Sequence, residues 1–501
     1  MIWYLEDWQE PCYNINNGRC KSLLRWKNTR NIIYEDTTNN IIPILSIKRP
    51  HSRAFYLSFI LIFLSFMIFH HPLSLDLLDL IKNNDKNLDI HSIIRWNAIY
   101  LHLGGSFFRI VSGILADKYG VRIIYYIILI LSIIVGILKI ILNIEYNLYY
   151  LLIGLSSSGF VLSELWVITM FDKNILGLVC GIIGGFGNFG LGSLFFINTY
   201  FYNDLIIFKL WPYILGVILL GPLYFSDDSP YGNLYELKKK YNNENNIENI
   251  EENIEENIEE NIEENIEENI EEDFKNSAIS SNYNLDNSIY NNDNIININN
   301  IINDIKYSKK KCFMVIKNPK IIVLGILYLY SLGLELTLIT NIPILLKLNN
   351  ITTYKKALLL FVFSSFNLLG RPVGGYLSDK NYEIYKLIGR IKIILILLSI
   401  TTIIGVAFNN INNIINNYNI LLLIIILWSF SNNLLQGSII GLIPHLDSDK
   451  IGIILGFISS MGTIGGILGN IIFIYFNNSD SIKYINIFGS ISFALGSLIL
   501  L

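Results

Sequence analysis

Long apolar runs alternate with short polar stretches along most of the chain. Runs of about 18–25 residues recur, which is the length that an α-helix needs to cross a bilayer. We predict twelve such segments, six on each side of a polar stretch at 226–318, with these approximate bounds: 54–75, 96–116, 122–143, 147–171, 174–200, 205–225, 319–345, 355–377, 388–408, 419–444, 451–476 and 483–501. The pattern therefore predicts an all-α membrane protein built from two six-helix halves.

The composition agrees with a membrane protein and argues against several other classes. The chain has 501 residues, of which 52% are apolar, and its mean hydropathy of +0.45 is too high for an ordinary soluble protein. The cysteines are few and scattered, so neither a disulfide framework nor a metal site is indicated. No phosphate loop, metal cluster or catalytic triad is visible in the sequence. We expect no enzymatic activity, no cofactor and no nucleic-acid partner.

The apolar and polar segments predict four parts of the chain: a tail at 1–53, a first half at 54–225, a linker at 226–318, which is the polar stretch, and a second half at 319–501. The linker carries tandem Asn-Ile-Glu-Glu repeats and then an Asn-rich tract. A period of four could align the isoleucines along one strand of a coiled coil. The dense like charge favours a disordered, solvated linker instead.

Basic residues mark one side of the predicted membrane protein. The loop after segment 2 contains Lys118 and Arg122, and the linker ends in Lys309–Lys311. The loop after segment 8 adds Lys380, Lys386, Arg390 and Lys392. Because basic loops stay in the cytoplasm, we expect the N-terminus, the linker and the C-terminus to be cytoplasmic. The protein would span the plasma membrane or an internal membrane several times.

Two arginines interrupt apolar segments at matching places in the two halves. Arg109 stands eight residues before Asp117, and Arg371 stands eight residues before Asp379. Eight helical residues span about 12 Å, so each arginine lies near the middle of a membrane core that is about 30 Å thick. A guanidinium group stays charged and must therefore face the protein interior. The duplication indicates an internal repeat with an anion site at its centre.

Two acidic residues offer an alternative explanation of the arginines. Glu164 in segment 4 and Glu335 in segment 7 could form ion pairs with them and leave no anion site. The acidic residues do not occupy equivalent positions in the two repeats, which favours an anion as the shared partner of the arginines. Both carboxyl groups are also candidates for a coupled proton.

Glycine rows occur in segments 5 and 11, at corresponding positions of the two halves. Their spacing of three and four lets helices approach closely, and packing alone could explain it. Their correspondence suggests surfaces that move during alternating access, and the candidates are Gly184, Gly185, Gly187, Gly462, Gly465 and Gly466. Asn188 lies within the first row, where its amide can hydrogen-bond a ligand.

The loop Gly113-Ile-Leu-Ala-Asp117-Lys-Tyr-Gly120-Val-Arg122 resembles the loop signature of the major facilitator superfamily. Gly120 permits a tight turn, and Asp117 and Arg122 can hold neighbouring helix ends together in one gating state. Asp379 occupies the counterpart position in the second half.

Four further stretches resemble the nitrate/nitrite porter family within that superfamily, particularly its plant and algal high-affinity branch. They lie at 166–190, 328–337, 371–379 and 436–444. The resemblance covers about 54–225 and 319–476. It implies a fold of twelve transmembrane helices whose halves are related by pseudo-twofold symmetry.

The resemblance also implies roles for individual residues. Arg109 and Arg371 match the two arginines that clamp the anion, Asn188 matches an asparagine beside it, and Tyr328 matches a tyrosine that hydrogen-bonds it. The chain departs from the family pattern at Thr463, where an Asn is usual, and at Glu164, where a Gln is usual. His70 and His71 also replace small residues.

These observations predict a secondary active transporter of nitrate or nitrite that works by alternating access, as a proton symporter or an exchanger. The transport unit would be a monomer. A small organic anion such as a monocarboxylate, oxalate, formate or pantothenate is the alternative substrate, because 367–371 also resembles that branch. That branch usually lacks an arginine equivalent to Arg109. A third possibility is a non-transporting nutrient receptor or scaffold whose linker recruits partners.

Overall fold

A computed structural model of the chain describes residues 50–82, 88–142, 145–201, 206–228, 317–347, 353–410, 418–446 and 450–500. All regular elements in these ranges are helical. The first half contains α1 (Pro50–Lys82), α2 (Leu88–Tyr119), α3 (Val121–Leu142), α4 (Tyr146–Ile153), α5 (Gly159–Met170), α6 (Leu176–Phe201) and α7 (Ile206–Tyr224). The second half contains α8 (Pro319–Lys347), α9 (Thr353–Ser365), α10 (Asn367–Ala407), α11 (Tyr418–Leu442), α12 (Ile451–Tyr475) and α13 (Asn478–Leu500).

Within the described residues, ten helical stretches are long and apolar enough to cross a membrane. One of them runs over 53 residues, from Lys355 to Ala407, and it bends at Lys386, whose φ of 54° is incompatible with a continuous helix. A shorter apolar helix covers Leu210–Tyr224. Counting the short helix and both arms of the bent stretch accommodates the twelve predicted spans.

The outer surface of the helices is apolar and the charged groups of the arginines are inside. On α2, Phe107 is 61% exposed, whereas Arg109, two residues further on, is 1% exposed. Large exposed apolar side chains also occur on α3, α7 and α13. This inverted distribution suits a surface that faces hydrocarbon rather than water.

The helix pairs α2–α12 and α6–α10 pack closely where the halves meet, and we call each of these two contacts a seam. In the α2–α12 seam, a Cβ atom on Gly113 would lie 2.2 Å from the carbonyl oxygen of Gly452. In the α6–α10 seam, a Cβ atom on Gly375 would lie 1.8 Å from the carbonyl oxygen of Gly177. Only glycine permits such close approach of two backbones. The described helices of both halves belong to one compact unit.

The predictions for the tail and the linker concern residues that are mostly not described. Of the tail at 1–53, the structure describes only 50–53, and of the linker at 226–318 it describes 226–228 and 317–318. The coiled-coil and disordered alternatives for the repeats therefore both stay predictions.

Candidate functional site

Arg109 is buried between the two halves and binds backbone carbonyl groups. Its Nη1 donates to the carbonyl oxygen of Ser459 on α12 at 2.9 Å, and its Nε donates to that of Ser157 at 3.3 Å. The guanidinium carbon lies 5.3 Å from the ring centre of Phe160. Among the described residues Arg109 has no acidic partner. Its positive charge is therefore stabilised by dipoles and by an aromatic ring.

Arg371 is equally buried but has a different set of partners. Its Nε donates to the Oδ1 of Asn367 at 3.0 Å, and its Nη2 donates to the Oε1 of Gln436. The same Nη2 lies 3.5 Å from the Oε2 of Glu335. Its Nη1 has no hydrogen-bond partner among the described residues. One arm of this guanidinium fork is thus available to a ligand.

The carboxylate of Glu335 connects several elements around Arg371. It accepts hydrogen bonds from Asn367 at 2.7 Å, Gln436 at 2.9 Å and Asn188 at 3.3 Å. The bond from Asn188 crosses from the first half to the second. The ion-pair alternative thus holds for Arg371 and Glu335, whereas Arg109 keeps an unpaired charge within the described structure.

Phe160 lies between the two arginines. Its ring centre is 5.3 Å from the guanidinium carbon of Arg109 and 5.9 Å from that of Arg371. Because two cations contact one aromatic ring, both predicted clamp residues belong to a single site. The ring of Tyr328 approaches Phe160 with 6.4 Å between centres, and its hydroxyl group has no partner in the described part of the chain.

Glu164 lies on the first-half side of Arg371. Neither carboxylate oxygen has a hydrogen-bond partner of good geometry among the described residues. The Cys180 thiol, the Gly184 backbone and the Arg371 guanidinium group are nevertheless its neighbours. The site therefore combines one carboxylate that is fully bonded and one that is not.

The aspartates that follow the arginines each bind a helix of the opposite half. Asp117 accepts hydrogen bonds from the backbone N–H groups of Gly452 and Ile453, both at 2.9 Å, at the start of α12. Asp379 accepts from Gly177 at 3.0 Å and from Leu178 at 2.8 Å, at the start of α6. Helix N-termini attract negative charge. These contacts close both seams at the end of the molecule where the aspartates lie.

Arg95 closes the α2–α12 seam at its other end. Its Nε donates to the Oδ1 of Asn341 on α8, and its Nη1 donates to the carbonyl oxygen of Phe473 on α12, both at 2.8 Å. With Asp117 at one end and Arg95 at the other, this seam is closed on both sides of Arg109.

The turn predicted at Gly120 is present. Gly120 has a φ of +90°, which side chains rarely adopt, and a Cβ atom there would lie 2.6 Å from Asp228. Arg122 binds the carbonyl oxygens of Tyr224 at 3.0 Å and Ser226 at 3.3 Å. Asp117 thus binds across the halves, whereas these contacts of Arg122 lie within the first half and the first residue of the linker.

The predicted glycine rows divide into two groups. Gly184 and Gly185 lie where the halves meet: a Cβ atom on Gly185 would lie 2.5 Å from Asn367 of the second half, and one on Gly184 would lie 2.6 Å from Glu164 of the first half and 3.0 Å from Arg371 of the second. The other glycines are packed largely inside their own halves: Gly187 against Ile62, Gly462 against Leu332, Gly465 against Leu329, and Gly466 against both Leu336 and His102 of the first half.

Sequence reasoning missed three residues of this site. Phe160, Asn367 and Gln436 each contact at least one of the arginines. Asn367 lies four residues before Arg371, so helical periodicity could have indicated it. Gln436 and Phe160 belong to other helices, and no spacing rule connects them to the arginines.

Known proteins resemble this chain in sequence over most of its length. Residues 55–470 match the family described as Major Facilitator Superfamily. The chain is 24% identical to the "High affinity nitrate transporter 2.7" of Arabidopsis thaliana over 456 residues, covering 87% of this chain and 80% of that protein. It is 32% identical to the "Nitrate/nitrite transporter NrtP" of Nostoc punctiforme over 146 residues, covering 26% of this chain and 29% of the relative.

Solved structures share the fold. The proton:xylose symporter XylE, solved with 6-bromo-6-deoxy-D-glucose, superposes with a TM-score of 0.58 at 12% identity and covers 90% of this chain and 97% of its own. The human organic anion transporter MFSD10 (TETRAN) superposes with a TM-score of 0.54 at 11% identity, covering 89% and 99%. The chain therefore belongs to the Major Facilitator Superfamily, and its predicted resemblance to the nitrate/nitrite porter branch is confirmed by the relatives.

Proposed function

We propose that this integral multi-pass membrane protein is a secondary active transporter of nitrate or nitrite. The observation that carries the proposal is the pair of buried arginines around Phe160, one of which has no acidic partner within the described structure. A buried, uncompensated guanidinium group is unfavourable unless an anion or a set of dipoles stabilises it. The relatives that match over most of their length are named nitrate transporters, which supports transport rather than catalysis.

The balance of charge favours an anion with one negative charge. Arg109 and Arg371 contribute two positive charges, and Glu335 offsets one of them at 3.5 Å from Arg371. With Glu164 protonated, one positive charge remains for a substrate. Nitrate and nitrite each carry one negative charge and present oxygen atoms in a plane, which suits the planar donors of a guanidinium group.

Several donors near the arginines are suited to those oxygens. The Nη1 of Arg371 and the hydroxyl group of Tyr328 are buried and have no partner in the described structure. The side-chain amide of Asn188 donates to Glu335. To bind the anion, Asn188 would release Glu335 and donate to an oxygen atom of the anion instead. This arrangement supports substrate-binding roles for Arg109, Arg371, Asn188 and Tyr328.

Alternating access would rock the two halves about this site. In our proposal the Asp117 end faces the cytoplasm, in line with the basic loops, and the Arg95 end faces the opposite side. Opening to the cytoplasm would break the bonds from Asp117 and Asp379 to the opposite halves. Gly184 and Gly185 would give smooth surfaces to the α6–α10 seam. Each monomer would contain a complete site.

A coupled proton would require a titratable group close to the site. Both predicted carboxyl candidates lie beside Arg371. Glu335 is engaged by three amide groups and by Arg371, which supports a structural role. Glu164, whose oxygens make no hydrogen bond of good geometry within the described residues, is the better placed of the two carboxyl groups for binding a proton.

Conservative replacement of the arginines tests the proposal. Arg109→Lys and Arg371→Lys should each abolish uptake of labelled nitrate and nitrite into proteoliposomes, because lysine keeps the charge but loses the paired donors. Small carboxylates should compete weakly in the wild-type protein.

Arg53→Lys is the matched control, because Arg53 is also a buried arginine but forms an ion pair with Asp227 at 3.0 Å. This variant should retain uptake. Wild-type rates in Arg109→Lys or Arg371→Lys would contradict the two-arginine site, and a wild-type protein that carries only carboxylates would contradict nitrate as the substrate.

A further inference from the structure

A row of polar residues runs along the face of α2 that meets α12. Arg95, His102 and Arg109 are spaced by seven residues, or about 10 Å along the helix. They contact Phe473, Gly466 and Ser459, which have the same spacing in the opposite direction along α12. The antiparallel register thus places a basic side chain at every second turn of this seam.

His102 differs from the other members of this row because its ring makes no hydrogen bond. Both ring nitrogens are buried and have no partner among the described residues. The side chain is 1% exposed. Its Cδ2 lies 3.1 Å from where a Cβ atom on Gly466 would be, so the ring packs against the backbone of α12. A buried polar ring without a partner calls for an explanation, and binding a proton is the chemistry that histidine offers near neutral pH.

A second imidazole lies close by on α1. The ring of Phe69 lies 4.4 Å from that of His70 and 5.9 Å from that of His102, measured between centres. The Nδ1 of His70 lies 3.2 Å from the carbonyl oxygen of Phe66, and its Nε2 has no partner among the described residues. Two buried imidazoles therefore flank one aromatic ring.

The ionisable surroundings of these imidazoles are simple. His70 and Arg109 are the charged or titratable neighbours of His102 from α1 and α2, with Arg95 two turns away. The α12 helix contains no Asp, Glu, His, Lys or Arg. On α8, Glu335 is turned towards Arg371. No carboxylate of the described structure is paired with His102.

We propose that His102, with His70 beside it, is the site where a proton binds together with the transported anion. The inference rests on the proposed anion transport. A protonated His102 adds a third positive charge on α2, between Arg95 and Arg109, and α12 has no acidic residue to offset it. Closing the α2–α12 seam would therefore bury an uncompensated charge, which is unfavourable. An anion bound at Arg109 offsets that charge, so proton and anion each favour binding of the other. Because His102 lies on the Arg95 side of Arg109, its proton would come from the non-cytoplasmic side.

Proteoliposomes that hold the full-length protein test the proposal, with the membrane potential clamped. The wild-type protein should accumulate labelled nitrate when an inward proton gradient is applied, up to about tenfold for each pH unit and coupled proton. His102→Gln should retain nitrate counterflow without a gradient, which also shows that the variant is folded. The ratio of its uptake with the gradient to its uptake without the gradient should be about one, because the variant no longer couples the proton to the anion. His70→Gln should weaken the response.

His71→Gln is the matched control, because this neighbouring buried histidine faces Tyr213 of α7 instead, with ring centres 6.1 Å apart. It should keep the wild-type response. A full response in His102→Gln, or a response lost only in Glu164→Gln, would overturn the proposal. Wild-type counterflow without any response to the gradient would also overturn it and leave the proposed function standing. Absence of nitrate counterflow in the wild-type protein would instead contradict the proposed function.

Discussion

At the residue scale, each buried charge of the site has a different means of stabilisation. Arg109 relies on two carbonyl groups and Phe160, whereas Arg371 relies on two side-chain amides and Glu335. The repeat is therefore symmetric in the placement of its arginines and asymmetric in their surroundings. In the proposed charge balance, with Glu164 protonated, this asymmetry leaves one positive charge that a monovalent anion can neutralise.

Removing the charge of Glu335 should change which anions are preferred. In Glu335→Gln the shape and part of the hydrogen bonding are kept, but both guanidinium charges are now uncompensated. We expect binding of divalent oxyanions such as sulfate or oxalate, relative to nitrate, to rise by about tenfold or more. Competition against labelled nitrate in proteoliposomes measures the ratio.

Glu383→Gln serves as the control for that prediction, because Glu383 forms an exposed ion pair with Lys380. Surface pairs of this kind contribute little, so the preference for anions should not change. An unchanged preference in Glu335→Gln would contradict the charge balance proposed here.

The sequence predicts those site residues whose position depends only on neighbouring residues of the same helix. The depth of Arg109 and Arg371 follows from their distance to the aspartates, and both are buried at the same site. Phe160 could not be predicted, because a phenylalanine in an apolar segment looks like any lipid-facing or core residue. The partner of Glu335 could not be predicted either, because pairing between helices depends on how they pack.

At the element scale, glycine spacing predicts close approach but not the partner. Gly185 faces the second half, whereas Gly187 packs on Ile62 in its own half. The three- and four-residue spacing of the glycines determines which side of a helix lacks side chains. The direction of that side in the bundle depends on the helix's tertiary neighbours.

The α6–α10 seam gives a sharp test of close approach. In Gly375→Ala the added Cβ atom would lie 1.8 Å from the carbonyl oxygen of Gly177, which is backbone and cannot turn away. Overpacking of this kind costs about 1–3 kcal/mol. We expect the variant to lose several degrees of apparent Tm in detergent and about tenfold or more of its uptake rate.

Gly221→Ala is the control for the seam, since a Cβ atom on Gly221 would have no neighbour within 4 Å. It should keep both its Tm and its uptake rate. Normal uptake by Gly375→Ala would show that the halves do not need this contact in order to close.

At the scale of the whole molecule, the apolar pattern predicted the helices well. The structure places a helix over each predicted segment, and the ends differ by several residues because α1 and α2 continue into the polar residues that flank the apolar segments. The α2–α12 and α6–α10 seams were beyond reach from sequence, because antiparallel register between distant segments has no local signal. The row at Arg95, His102 and Arg109 becomes recognisable only once α12 is placed beside it.

The groups that bind the arginines lead to a prediction about net transport. The carbonyl group of Ser459 binds Arg109 and the carboxylate of Glu335 pairs with Arg371, so each arginine has an acceptor that belongs to the protein itself. We therefore expect labelled nitrate to enter vesicles that contain no exchangeable anion. A protein that moves nitrate only when an internal anion leaves would contradict this expectation.

The carbonyl group of Ser459 belongs to the second half, yet it binds the arginine of the first. In the proposed transport cycle, Arg109 would give up this acceptor when the seam opens, and the arriving anion would take its place. The carbonyl group of Ser459 would thus act as a built-in acceptor that the anion replaces at Arg109 once in each transport cycle.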